Sequence, residues 1–152
     1  MVLPDVTRTR VVRRITADPT STALLLTGPA AIDLWPGVRR VGDAGGRALV
    51  ETELPDTGAT TAAAVRALPP RRTPTSYVTR FDWTGHGLPS TKAVLTLAYA
   101  PAPDGVLTTH AVLELASDLT AEVRVDEARL RGMATTFLDN LGRAAEQRSE
   151  AA

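Results

Sequence analysis

The longest regular alternation of apolar and polar positions closes the chain. Between Asp126 and Ser149, Leu130, Met133, Ala134, Phe137, Leu138, Leu141, Ala144 and Ala145 recur at helical spacing. At about 100° per residue they share one arc of roughly 140°. Arg131, Thr135, Thr136, Asp139, Arg143, Glu146 and Gln147 fill the opposite side. Glu127 precedes Arg131, and Asp139 precedes Arg143, by one helical turn, an order that supports an exposed helix by about 0.2–0.5 kcal/mol per pair. Asp126 suits the amino-terminal cap, and Arg143 and Arg148 suit the carboxyl end of the dipole. The pattern predicts one long amphipathic helix that needs an apolar surface to lie on. Gly132 falls about 170° from the centre of the stripe and costs about 1 kcal/mol relative to alanine. It is expected to be exposed, reading either as neutral drift or as a soft point beside Met133 that lets the first turns act as a lid.

Upstream the period shortens to two. Val6 to Ile15 reads as a strand, and its arginines make one face wet. Asp18-Pro19 stops it and opens a short helix, Thr20 to Leu26; Gly28-Pro29 begins a second, Ala30 to Leu34, which Trp35-Pro36-Gly37 ends. Val38–Val41 and Arg47–Leu54 are strands joined by a hairpin loop, Gly42 to Gly46, and Pro55 to Gly58 is a second turn. Ala59 to Leu68 reads as a strand: its alanines pull toward helix, but its place between turns, and Thr60, Thr61 and Val65, pull the other way. Pro69 to Pro74 is expected to lie outside the sheet as an exposed connection.

The next strand is Thr75 to Thr84, with Tyr77, Thr79, Phe81 and Trp83 on one face and Val78, Arg80 and Asp82 on the other. Gly85 to Ser90 is a loop. Lys92 to Ala100 follows, with Ala93, Leu95, Leu97 and Tyr99 on one face. After the turn Pro101 to Gly105, Val106 to Ala116 sets Leu107, Thr109, Ala111, Leu113 and Leu115 against His110, Val112 and Glu114. Ser117 to Val125 has no period and connects to the helix. Short links force antiparallel neighbours. The expected fold is therefore α+β: a single domain, residues 1–152, with an antiparallel sheet of about six to seven strands curled around the terminal helix.

Composition narrows the chemistry. The 152 residues carry 17 basic and 17 acidic side chains, so no dominant nucleic-acid or anionic-membrane footprint is expected. The absence of cysteine removes thiol catalysis, disulfides and cysteine metal sites. The start, MVLPDVTRTRVVRR, lacks a signal-peptide apolar stretch, and no run approaches ~18 apolar residues. A cytoplasmic protein without a membrane span is expected. With few aromatics, a core of Ala, Val, Leu and Thr either closes or leaves a hollow.

Motifs for catalysis are sparse. There is no G-x-S-x-G elbow, and His86 between glycines reads as a turn residue. His110 and Glu114, four apart on a strand, are separated by roughly 13 Å at ~3.3 Å per residue and cannot share an ion. Gly42, Gly45 and Gly46 do not make a phosphate loop. No metal and no cofactor are expected, and Arg80, Asp82 and Glu114 are assigned to solvent. The aromatic face is the best candidate site. Trp35, Tyr77, Thr79, Phe81, Trp83 and Tyr99, with Met133 and Phe137 from the helix, would hold a planar, partly oxygenated ligand. The alternative is a packed core whose polar tips reach water.

Three strings in order, RRITADPTSTALLL, IDLWPGVRRV and MATTFLDNLGRAAE, resemble the START-like helix-grip superfamily (the SRPBCC group). That group includes polyketide cyclase/dehydrase-type and birch-pollen-allergen-type proteins. The resemblance implies a cavity between a curled sheet and the long helix, and a small hydrophobic or aromatic molecule as partner. An aromatase/cyclase or dehydrase-type enzyme, in which Tyr77, Tyr99 or Trp83 donates to an enolate, is the second reading. A protein-interaction module without a ligand is the third. Chemistry varies too widely on this fold to transfer residue by residue.

Overall fold

The computed structural model describes residues 6–53, 59–85, 90–118 and 127–151. Strand β1 (Val6–Ile15) leads into helix α1 (Pro19–Leu24) and a 3-10 helix (Pro29–Leu34). Strands β2 (Val38–Ala44), β3 (Arg47–Glu53), β4 (Thr60–Ala67), β5 (Arg71–Arg72), β6 (Ser76–Gly85), β7 (Thr91–Pro101) and β8 (Leu107–Asp118) follow, and helix α2 (Glu127–Ala151) closes the chain. The strands form one 8-stranded sheet in the order β1-β8-β7-β6-β4-β3-β2, with β5 beside β6. All pairings are antiparallel. This is the expected α+β helix-grip arrangement, and Thr60–Ala67 is a strand as read.

The alternation holds across the sheet. Ala48, Val50, Ala63, Val65, Phe81, Trp83, Ala93, Leu95, Leu97, Ala111, Leu113 and Leu115 are buried on the inner face. From the helix Leu130, Ala134, Phe137, Leu138, Leu141 and Ala145 are buried against them, the stripe read from the sequence. Each large apolar side chain so covered contributes about 1.5–3 kcal/mol. His110, Glu114 and Arg80 lie exposed on the outer face. Asp18 caps α1, its Oδ1 accepting from Ser21 N–H at 2.7 Å, and the Thr109 hydroxyl ties β8 to Ala17 O at 2.7 Å.

Several expectations are corrected. Pro69–Pro74 is not wholly outside the sheet: Arg71 and Arg72 pair with Val78 and Tyr77. Prolines flank this pair, so the arginine amides between them are still free to bond. The loop Gly42–Gly46 shrinks to Gly45-Gly46, at φ 58° and 78°, because the strands zip to Ala44↔Arg47 and a register shift at Arg40/Gly42 absorbs the difference. Positive φ at both positions is what a two-residue hairpin needs. The second short helix winds as a 3-10 helix, and β8 runs on to Asp118. The Asp126 cap and the His86 turn lie outside the described residues.

Arg13 overturns two further readings. Arg8, Arg10 and Arg14 are exposed, but Arg13 lies on the inner side of β1, beneath α2. Its guanidinium reaches Asp139 at 3.3 Å and Glu146 at 3.5 Å, so Asp139 pairs with β1 rather than with Arg143. Glu127 and Arg131 do pair, at 3.0 Å. Gly132 faces open space as expected, whereas a Cβ at Gly142 would land on the Arg13 guanidinium. Gly132→Ala should therefore stabilise the protein by up to about 1 kcal/mol, the propensity gain. Gly142→Ala should forfeit that gain by unseating Arg13 from its carboxylates. Urea unfolding of the two variants reads the difference; equal stabilisation would mean that Arg13 is not seated on Gly142.

Candidate functional site

Four rings meet where the 3-10 helix, β6 and α2 converge. Trp35 stands 4.1 Å from Phe137, 4.4 Å from Trp83 and 5.4 Å from Phe81, between ring centroids. Phe81 and Trp83 share the inner face because they are two apart on a strand, and Phe137 lies in the apolar stripe of α2. Trp35 arrives by a different route. Its segment runs from Gly28 (φ 83°) to Gly37 (φ 69°), and these left-handed glycines, adjoining Pro29 and Pro36, set the chain's angles at both ends.

The segment is clamped on two sides. Arg40 on β2 donates to both oxygens of Asp33, at 2.8 Å each, and Asn140 Nδ2 on α2 donates to Leu34 O at 2.8 Å. Trp35 is held inward with 2% of its surface exposed, yet its indole Nε1 has no acceptor among the described residues. Leaving such a donor buried and unsatisfied costs about 1–3 kcal/mol. A depression of about 400 Å³ lies on the side of the 3-10 helix and the β2–β4 strands, lined by Gly28, Pro29, Ile32, Ala48 and Val65, with Asp43 and Arg47 also contributing. Ile32 O accepts from Trp35 N–H, and Val65 is the cross-strand partner of Trp83, so two of its lining residues are neighbours of the ring cluster, while none of the four rings is itself in the described lining.

The Arg40 guanidinium, chiefly by hydrogen bonding, holds the Asp33 carboxyl below its usual range; burial pushes the other way by less than that bond, and the Arg40 charge adds a still smaller lowering. The same bond raises Arg40. A carboxyl depressed by folding adds stability above its unfolded value, ordinarily about 3.9, and loses it as pH falls through the folded value. The clamp should therefore stay closed from neutral pH to the ordinary carboxylate range and release only below it. Tryptophan emission recorded against pH in wild type and Asp33→Asn reads this. A change near pH 6–7 absent from Asp33→Asn would contradict it.

The remaining residues expected in the site divide away from the rings. Tyr77 and Tyr99 hydroxyls both hydrogen-bond to Thr20 Oγ1 on α1, at 3.0 and 3.2 Å, and Tyr99 is 40% exposed. The Thr79 hydroxyl donates to Leu68 O at 2.5 Å, so it is occupied by backbone. Met133 is half-buried at the edge of the core. Thr20, Asn140 and the Asp33–Arg40 clamp were not singled out in the sequence. Each acts through a partner remote in the chain or on another element, and no local spacing marks it.

The arrangement of sheet and terminal helix is a helix-grip fold. Among solved structures the chain is similar to a conserved protein from Geobacillus kaustophilus, with TM-score 0.64 and 11% identity over 92% of this chain and 95% of that one. It is similar to a truncated norcoclaurine synthase from Thalictrum flavum, with TM-score 0.57 and 11% identity over 95% and 96% of the two chains. A point mutant of that synthase in complex with a transition-state analogue aligns with TM-score 0.62 and 11% identity over 98% and 99%. At this identity the likeness is one of fold. No protein-family model and no curated protein matches the sequence. Among the described residues, no helix is long and apolar enough to cross a membrane.

Proposed function

We propose that the chain binds a small, planar, partly oxygenated hydrophobic molecule between the sheet and α2, through an oxygen that accepts from Trp35 Nε1. The observation that carries this reading is the buried indole N–H, without an acceptor among the described residues and set among Phe81, Trp83 and Phe137. A buried donor without a partner is rare enough in folded proteins to call for an explanation, and a ligand oxygen supplies one. The depression of about 400 Å³ lined by Ile32 and Val65, neighbours of Trp35 and Trp83, is of the size that holds small ligands. The same fold in norcoclaurine synthase is seen with a transition-state analogue.

A second reading, an aromatase/cyclase-type enzyme, is favoured by one feature. Two phenol hydroxyls converge on a single oxygen, Thr20 Oγ1. Donors so arranged could stabilise an enolate oxygen put in its place. Tyr77→Phe with Tyr99→Phe should then slow turnover of a poly-β-keto surrogate; an unchanged rate would remove this reading.

Binding is tested by titrating the protein with flavonoids and naphthoquinones while following tryptophan emission, with native mass spectrometry of the freshly purified protein alongside. Saturable quenching that is weakened in Trp35→Phe is expected. Absence of saturation across the set, with no co-purifying molecule, would sink the proposal.

A further inference from the structure

Charge pairing on this surface is uneven. Arg10, Arg39, Arg40 and Arg131 each reach a carboxylate. Arg71, Arg72 and Arg80, all exposed, reach none among the described residues. These unpaired arginines line one groove of about 590 Å³, together with Leu68, Pro69, Pro74 and Val78, and no acidic residue is among its described lining. In a chain of zero net charge, this is a local excess of positive charge over an apolar floor.

The groove is framed rigidly. Leu68 N–H donates to Arg80 O at 2.9 Å, and Thr73 N–H donates to Ser76 O at 2.8 Å. Thr73 Oγ1 accepts from Ser76 N–H at 3.0 Å, and Pro69, Pro70 and Pro74 fix the backbone between. The guanidiniums are thus carried on a preset frame, which lowers the entropy lost when they engage an anion.

We propose that this groove binds an extended acidic segment of a partner protein, whose carboxylates pair with Arg71, Arg72 and Arg80 and whose apolar side chains lie on Pro69, Pro74 and Val78. Single phosphates are recognised well by clustered backbone N–H groups. Here the prolines have none, and those of Leu68, Thr73 and Ser76 are already bonded. What the groove offers is separate guanidinium forks spread over two strands, which suits spaced carboxylates taken up bidentately. Edge protection alone does not account for the pattern. The prolines already block strand addition at β5, and Arg80 sits on β6, inside the sheet. A bilayer would meet a recess here, on a sheet whose outer face also carries Glu114.

The test uses a labelled peptide of alternating glutamate and valine, followed by fluorescence anisotropy against the intact chain. Binding should weaken as salt rises through ~0.15 M. It should weaken at least about tenfold in the triple variant Arg71→Gln/Arg72→Gln/Arg80→Gln, and stay near wild type in Arg14→Gln, which removes an exposed arginine on β1. A lysine–valine peptide should not bind. Equal affinity in the triple variant, or an equal loss in Arg14→Gln, would overturn the proposal. So would displacement by inorganic phosphate at matched ionic strength, or triple-dependent binding to phosphatidylserine vesicles in place of the peptide.

Discussion

Replacing Trp35 by alanine is expected to lower the free energy of unfolding by about 3–5 kcal/mol, as measured by urea denaturation. The side chain is enclosed by Phe81 and Trp83 from the sheet and by Phe137 from α2, so its removal leaves a ring-sized void at the helix–sheet interface. The neighbours cannot collapse freely into that void. The segment bearing residue 35 stays fastened by Asp33–Arg40 and by Asn140 to Leu34 O, and the rings opposite are fixed by strand register. Trp35→Phe should behave differently. It gives up part of the ring contact but removes the unsatisfied N–H, and the two changes offset to within about 1.5 kcal/mol. A Phe variant as unstable as the Ala variant would show that Nε1 has a partner.

Phe137→Ala is the second large effect, also about 3–5 kcal/mol. Phe137 is fully buried and touches Trp35 and Phe81, so it joins α2 to both other walls of the cluster. Because Trp35 and Phe137 share one contact at 4.1 Å, their truncations should not add. The double variant is expected to lose less than the sum by about 0.5–3 kcal/mol. Strict additivity in that cycle would mean that the two rings do not support one another.

The architecture could be read from the chain because its signals are periodic. Phe81, Trp83, Leu95 and Leu113 alternate with polar positions, and a strand has only two faces. The helix stripe from Leu130 to Ala145 was legible for the same reason at a different period. What escaped was set by side-chain length and by contacts remote in sequence. Tyr77 shares a face with Phe81, yet its hydroxyl extends to Thr20 on α1 rather than toward Trp35. Arg13 has the polarity of a wet position, but strand parity places it under α2, where Gly142 leaves room for a guanidinium. Trp35 belongs to no period at all. Its burial follows from two glycines with positive φ and from clamps formed with β2 and α2.

The central claim is that the Trp35 indole N–H is a donor for a bound ligand. The indole N–H cross-peak of Trp35 in a nitrogen–proton correlation spectrum, assigned by its loss in Trp35→Phe, tests it most directly. In the free protein the proton should resonate as one without a hydrogen bond, and on addition of a planar oxygenated aromatic it should move downfield with saturation. A Trp35 peak that stays in place while only surface amides shift would contradict the account.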